Sequence, residues 1–189
     1  MGKDPIRKKT DIQAIKKMLQ GSARDSLIFS VGINNGLRAG DLLALTWGQV
    51  KNAGVGEVIR VIEQKTGKPN ILMVNKSVFK ALTAYRIWAD EERLTDDTPL
   101  FSVRWKGRRK AMTVAHLGRL VNRWCLAINL TGNYGSHTLR KTFGYQQRVN
   151  FGVGYELLAK RYNHSSPAVT MRYLGIEEQE VVDILMNDI

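Results

Sequence analysis

Tyr173 closes the run His164-Ser165-Ser166-Pro167-Ala168-Val169-Thr170-Met171-Arg172-Tyr173, and His137-Thr138-Leu139-Arg140 lies upstream of it. A phenol, two imidazoles and a guanidinium are groups suited to attacking a phosphodiester and holding the charge of its transition state. That reaction sets four tasks. The phenol attacks in line, fixed positive donors meet the non-bridging oxygens, the leaving oxygen receives a proton, and some group takes the proton of the phenol. The charge develops on oxygens held in a plane, which suits the fork of arginine better than the point charge of lysine.

Ordered elements must carry these groups. Ser166 is a good N-cap and Pro167 a good first helical residue, so a helix is expected over Pro167–Leu174 with Tyr173 about two turns in and Gly175 as its stop. Arg172 then projects to a different face from Tyr173. Apolar residues at helical spacing (Ile12, Ile15, Met18, Leu19) predict a first helix capped by Thr10 or Asp11. A second runs through Leu27, Ile28 and Val31 to a stop at Gly36, and Asp41–Leu45 reads as a short helix ending near Trp47. Glu57–Glu63 reads as a strand, Lys65–Asn70 as a turn and Ile71–Val74 as the return strand. Ser77 and Thr113 would cap helices carrying Val78, Leu82 and Tyr85, and Val114, Leu117, Val121 and Trp124. Further helices are expected over Thr142–Val149, Tyr155–Tyr162 and Glu178–Met186. The fold class is mainly α with a small antiparallel β-sheet (α+β).

The chain has 189 residues, enough to bury a core, and length favours a single domain over 1–189. It is strongly basic, with 29 Lys+Arg against 17 Asp+Glu and a formal charge of +12, so a polyanion is the expected partner. Cys125, the single cysteine, excludes an intrachain disulfide and a thiolate cluster, and its apolar neighbours make it a buried, inert thiol. No stretch approaches the roughly 20 apolar residues of a membrane span, and Met1–Pro5 lacks the apolar core of a signal peptide. A soluble, cytoplasmic protein without a membrane partner is the expectation.

Three segments now stand in order. Gly36-Leu37-Arg38-Ala39-Gly40-Asp41-Leu42-Leu43-Ala44-Leu45-Thr46-Trp47 resembles the first arginine box of the tyrosine recombinase (phage integrase) family. His137-Thr138-Leu139-Arg140-Lys141-Thr142-Phe143 resembles its His-x-x-Arg box. Tyr162-Asn163-His164-Ser165-Ser166 with Thr170-Met171-Arg172-Tyr173 resembles its third, and Glu63–Lys68 is similar to its β-hairpin lysine segment. The matches span 36 to 175, and each box alone is a weak signal. The resemblance implies a catalytic-domain fold of that family and a site-specific recombinase that cuts and rejoins double-stranded DNA through a 3′-phosphotyrosyl intermediate. It implies no cofactor, metal or ATP, and the boxes lack the carboxylate cluster of a Mg²⁺ site.

By the same resemblance Arg38 and Arg140 clamp the scissile phosphate and Lys65 protonates the 5′ leaving oxygen from a mobile hairpin, with Lys68 the alternative. His137 serves proton transfer, His164 hydrogen-bonds the phosphate and Tyr173 is the nucleophile. Asp41 stands where Glu is usual, Lys141 where His is frequent, and Asn163 where Gly commonly precedes the histidine. The family's N-terminal DNA-clamping domain is expected to be absent, residues 1–10 being only a basic lead-in. Either a fragment or a minimal family member would have this form.

Taken singly, each of these residues has an ordinary structural role, and His116, outside every box, keeps that reading. The basic stretch Arg104, Lys106, Arg108, Arg109 and Lys110 reads as a solvated loop or as contacts to the DNA backbone; no acidic residue occurs from Phe101 to Cys125. The segment 177–189 reads as a helix that packs on its own domain or, as the family commonly does, on a neighbour in a homotetramer on paired sites. A type IB topoisomerase-like relaxing enzyme and a non-catalytic DNA-binding regulator of the same fold are the rival readings. The target sequence, and the choice among integration, excision, resolution and inversion, do not follow from the chain.

Overall fold

The computed structural model describes residues 2–89, 94–106 and 108–187, with backbone alone at 104, 105, 177–179 and 184. Its order is α1 (Lys9–Met18), a 3-10 turn (Leu19–Gly21), α2 (Ala23–Asn35), α3 (Ala39–Leu43), α4 (Trp47–Val50), β1 (Val58–Ile62), β2 (Pro69–Met73) and α5 (Lys76–Trp88). There follow β3 (Ser102–Trp105), β4 (Arg108–Ala111), α6 (Val114–Ala127), α7 (Thr138–Phe151), α8 (Tyr155–Tyr162), α9 (Pro167–Leu174) and α10 (Glu177–Leu185). The mainly helical class with small antiparallel sheets is as the sequence implies.

Two apolar cores divide the work. The larger joins α1, α2, α5 and α6 with the inward positions of the β1–β2 hairpin, and its fully covered residues include Ile15, Phe29, Leu82 and Val121. The alternation of β1 and β2 supplies Ile59, Val61 and Leu72 to this core while Val58, Ile62, Ile71 and Met73 face out. The smaller core is Phe143, Tyr155, Leu158, Tyr162, Leu174 and Ile176, from α7, α8 and the α9 region. Helix α7 belongs to both, because Leu139 packs in the first and Phe143 in the second. The seam along α7 is where the candidate site forms.

Two glycines keep that seam closed. Gly36 ends α2 in the left-handed conformation, φ 60°, and a Cβ there would lie 2.5 Å from Phe143 Cδ1. Gly144 lies inside α7, where a Cβ would lie 2.2 Å from the Tyr162 hydroxyl and 2.8 Å from Leu174 Cδ2.

Several boundaries differ from the sequence reading for local reasons. Helix α1 starts at Lys9, before Thr10, with Lys8 at its cap and no side-chain capping bond. Trp47 opens α4 instead of ending a helix: Thr46 bridges to Pro99, and its N–H donates to Gln49 Oε1 at 3.0 Å. Helix α5 is capped by Asn75, whose Oδ1 accepts from Val78 N at 3.0 Å, so Ser77 is already helical. Thr113 does cap α6. Helix α7 begins four residues before Thr142, taking in Thr138, Leu139 and Arg140. The basic loop expected near 104–110 is a second hairpin, β3–β4, paired Ser102↔Ala111 and Trp105↔Arg108. Every residue of β4 is exposed, so the chain shows no apolar alternation there to announce a strand. Cys125 is buried, and burial pushes its thiol up to about 12, in keeping with an inert role.

Gly144→Ala is expected to cost about 1–3 kcal/mol from overpacking, read as a lowered thermal midpoint. Gly54→Ala, where a Cβ would meet nothing within 4 Å, should leave the midpoint nearly unchanged.

Candidate active site

Arg38 lies two residues beyond Gly36, whose left-handed turn ends α2, and forms the N-cap position of α3. Its Nη2 donates to the Tyr162 carbonyl at 3.3 Å, and its Nη1 forms an ion pair with Glu63. Arg140 comes from the first turn of α7 and is 3% exposed. Its Nη1 donates to the Gly36 carbonyl and its Nη2 to the Tyr162 carbonyl, each at 2.8 Å, and the guanidinium lies 4.3 Å from the centre of the Tyr162 ring. The two arginines therefore meet at one oxygen, at the C-terminal end of α8, where the helix dipole favours positive charge. Tyr162 is fully buried, and its hydroxyl donates back to the Arg140 carbonyl at 2.7 Å.

Asn163 then turns the chain in the left-handed region, φ 52°, a conformation asparagine tolerates, so its replacement of glycine leaves the turn intact. The turn delivers His164 beside Thr170, with Nδ1 and Oγ1 2.9 Å apart. Burial, followed by the charges of Arg140 and Arg38, lowers the imidazole to about 4, so it is neutral near pH 7. Ser166 caps α9 through Val169 N, and Gly175 ends it at φ 64°.

Tyr173, on the last turn of α9, packs its ring edge-on to His164 (5.4 Å between centres) and Tyr162 (5.7 Å). Its hydroxyl is buried and has no hydrogen-bond partner of good geometry among the described residues. Burial raises the phenol to about 12, and the Arg140 and Arg38 charges pull against that rise. Lys141 Nζ stands 5.2 Å from the centre of the Tyr173 ring. His137, exposed at the N-cap of α7, shares with Tyr173, Lys141 and Lys3 an open cleft of about 540 Å³. Burial and then the charges of Arg140, Lys141, Lys65 and Arg38 lower the pKa of His137.

Lys65 is exposed in the turn between β1 and β2, and its charge is among those acting on His137. Lys68 is also exposed; its carbonyl accepts from Glu63 N at 3.0 Å and its N–H donates to Thr66 Oγ1 at 3.3 Å. Asp41, 2% exposed, accepts from Gln64 N at 2.9 Å through Oδ1. The structure thus gathers Arg38, His137, Arg140, His164 and Tyr173 about the α7 seam, with Lys65 on the adjoining turn. Lys106, Arg108, Arg109 and Lys110 are exposed and line a separate recess on the β3–β4 hairpin. The Arg104 side chain lies outside the described residues.

Sequence reasoning missed Glu63, Asn70 and Arg161. Glu63 is fully buried and takes bonds from Thr66 Oγ1 at 2.6 Å and Asn70 Nδ2 at 2.8 Å beside its Arg38 pair. Burial works against its charge, yet these donors and Asn163 outweigh it and hold the carboxyl at about 2. Arg161 joins α8 to the hairpin, donating to Ile71 O at 2.9 Å and also to Asn35 O and Asn70 Oδ1. A signal was present: Glu63 continues the inward phase of Ile59 and Val61, and Asn70 that of Leu72. Polar residues at core-facing strand positions need partners.

The profile of the phage integrase family matches residues 7–180, and the chain belongs to that family, the tyrosine recombinases. It is 35% identical over 178 residues to the probable integrase/recombinase YoeC of Bacillus subtilis, covering 92% of this chain and 90% of YoeC. It is 24% identical to the tyrosine recombinase XerC of Thermodesulfovibrio yellowstonii over 85% of this chain but 53% of that protein. Among solved structures, XerA recombinase superposes with a TM-score of 0.75 at 20% identity, over 98% of this chain and 67% of that one. The XerH site-specific recombinase bound to palindromic difH substrate, a post-cleavage complex, gives 0.67 at 22% identity, over 91% of this chain and 49% of that one. These structural likenesses are likenesses of fold.

Glu63 sits well below its ordinary carboxyl value of 4.5, at about 2, so its ionised form stabilises the fold above pH 4.5. That contribution is lost as pH falls from about 4.5 towards 2. It amounts to about 3 kcal/mol at full strength. Glu63→Gln should therefore be markedly less stable than the parent in denaturant titrations at pH 6, and the gap should narrow at pH 3. A gap of equal size at both pH values contradicts this assignment.

Proposed function

We propose that this chain is the catalytic unit of a site-specific DNA recombinase that cuts and rejoins double-stranded DNA through a 3′-phosphotyrosyl intermediate. The observation that carries the reading is the buried hydroxyl of Tyr173, which meets the charges of Arg140 and Arg38, the two arginines that converge on Tyr162. A buried hydroxyl without a well-formed hydrogen bond is costly, and one set beside two guanidinium groups is what a nucleophile awaiting a phosphate requires.

The roles follow from the chemistry. Arg38 and Arg140 bind the non-bridging oxygens of the scissile phosphate, with their orientation fixed before substrate arrives. The Tyr173 oxygen attacks phosphorus as the bond to the 5′ oxygen breaks, and its proton leaves to a base. His137, whose imidazole is lowered from its ordinary value by desolvation and the surrounding cations, is suited to accept it. Lys65 donates a proton to the departing 5′ oxygen. His164, its Nδ1 occupied by Thr170, has Nε2 available to the phosphate. One phosphodiester is exchanged for another, so the step needs no ATP, and no metal enters it.

The exposed cations Lys106, Arg108, Arg109 and Lys110, with Arg104, supply contacts to the DNA backbone, which position a duplex without reading its sequence. Helix α10 is tied to its own domain through Glu180, which takes Tyr155 Oη at 2.7 Å and pairs with Arg148. It leaves Val181, Val182, Leu185 and Met186 exposed, which supports a subunit contact for the segment 177–189 in a homotetramer on paired sites. Residues 1–189 act as one catalytic domain.

The test uses nicked duplexes of randomised sequence, enriched over rounds for covalent capture by the protein. The expected outcome is a denaturation-resistant adduct formed without divalent metal and abolished in Tyr173→Phe. Lys65→Ala should slow cleavage by about 10²–10⁴-fold, and a 5′-bridging sulfur in place of oxygen should restore it, because a thiolate leaves without a proton. No adduct in any round, or one that survives Tyr173→Phe, contradicts the proposal.

A further inference from the structure

We infer that Glu63 is a positioning residue for Lys65; the inference rests on the reading of Lys65 as the proton donor to the leaving oxygen. Glu63 follows β1 directly, continues its inward phase and is fully buried. A carboxylate there is tolerated only when its lone pairs are filled, and the donors that fill them belong to the turn and to the site. Thr66, next to Lys65, donates its hydroxyl at 2.6 Å; Asn70, on the returning strand, donates at 2.8 Å; Arg38 completes the set.

The Glu63 backbone closes the same turn. Its N–H donates to Lys68 O at 3.0 Å, and its carbonyl accepts from Gly67 N at 2.8 Å. On the other side of Lys65, the Gln64 N–H is held by Asp41 at 2.9 Å. Lys65 therefore sits between neighbours fastened to two buried carboxylates. A lysine side chain has a long flexible stem, so its ammonium reaches one place only if its Cα is fixed. Glu63 fixes it relative to Arg38, the residue that would hold the phosphate. Asn70 carries the linkage on to Arg161 and so to α8, whose last carbonyl orients both arginines.

A carboxylate in this place has a simpler role available, as a counter-ion to Arg38, and the two roles separate by leaving group. Proton transfer accompanies departure of the 5′ oxygen when the P–O5′ bond breaks, whereas departure of a 5′ thiolate needs none. Arg38 is required in both cases. The experiment measures single-turnover cleavage of the enriched nicked duplex with oxygen or sulfur at the 5′ bridging position, for the parent, Lys65→Ala, Glu63→Gln and Thr66→Val.

Glu63→Gln should slow the oxygen substrate by about tenfold to a hundredfold through misplacement of the acid, with the sulfur substrate cleaved near the parent rate. Thr66→Val should give a smaller loss with the same restoration, and it carries the test by the same criterion if Glu63→Gln does not fold. Equal slowing on both substrates in Glu63→Gln, with Lys65→Ala restored by sulfur, overturns the inference and leaves Glu63 as Arg38's counter-ion. Lys65→Ala that sulfur does not restore overturns the reading of Lys65 itself, and the inference with it.

Discussion

The backbone carbonyl of Tyr162 receives a guanidinium nitrogen from Arg38 and another from Arg140, and the rest of the site is arranged around that meeting. Two like charges brought this close repel, and Arg140 is almost wholly removed from water. The fold offsets that cost with fixed dipoles. The Gly36 and Tyr162 carbonyls, at the ends of α2 and α8, take two of the five donors of Arg140, and the Tyr162 ring lies against its face. Glu63 takes one nitrogen of Arg38. The remaining donors stand oriented before any substrate arrives, which is the condition for electrostatic stabilisation without reorganisation during reaction.

The same cationic field sets the protonation states around it. Desolvation first and the neighbouring cations second lower His164 to about 4 and push His137 below its ordinary value. Tyr173 feels opposed influences: burial lifts its phenol to about 12, while Arg140 and Arg38 favour the phenolate. The Tyr173 phenol is thus protonated in the free protein, packed edge-on against His164 and Tyr162 at the border of the open cleft. In the proposed reaction it would attack only once a phosphate and a proton acceptor are both present. A site so arranged spends no stability on a free phenolate.

Much of this was legible in the chain, and the reasons are specific. Ser166, Pro167 and Gly175 bracket α9 with residues whose backbone preferences match cap, first turn and stop, so the position of Tyr173 on an ordered helix could be read directly. Gly36 likewise announced the end of α2. What escaped depends on contacts distant in sequence. Glu63 is defined by Arg38 and Asn70, and the role of Tyr162 by Arg140, 22 residues earlier. Helix α7 starts at Thr138, before its apolar pattern announces it, because its first turn carries Arg140, a buried charge whose partner at Gly36 lies 104 residues away. The β3–β4 hairpin has one strand wholly in solvent, and such a strand leaves no periodic trace.

In the proposed reaction the Tyr173 oxygen becomes joined to DNA, and the chain offers a direct measurement of that bond. No lysine or arginine follows Arg172, so trypsin releases residues 173–189 as one peptide with a single tyrosine at its first position. Mass spectrometry of the nuclease-trimmed, trypsin-digested adduct should find the nucleotide on that peptide and, by fragmentation, on Tyr173. A nucleotide found on a peptide carrying His137, His164 or another hydroxyl would contradict the account.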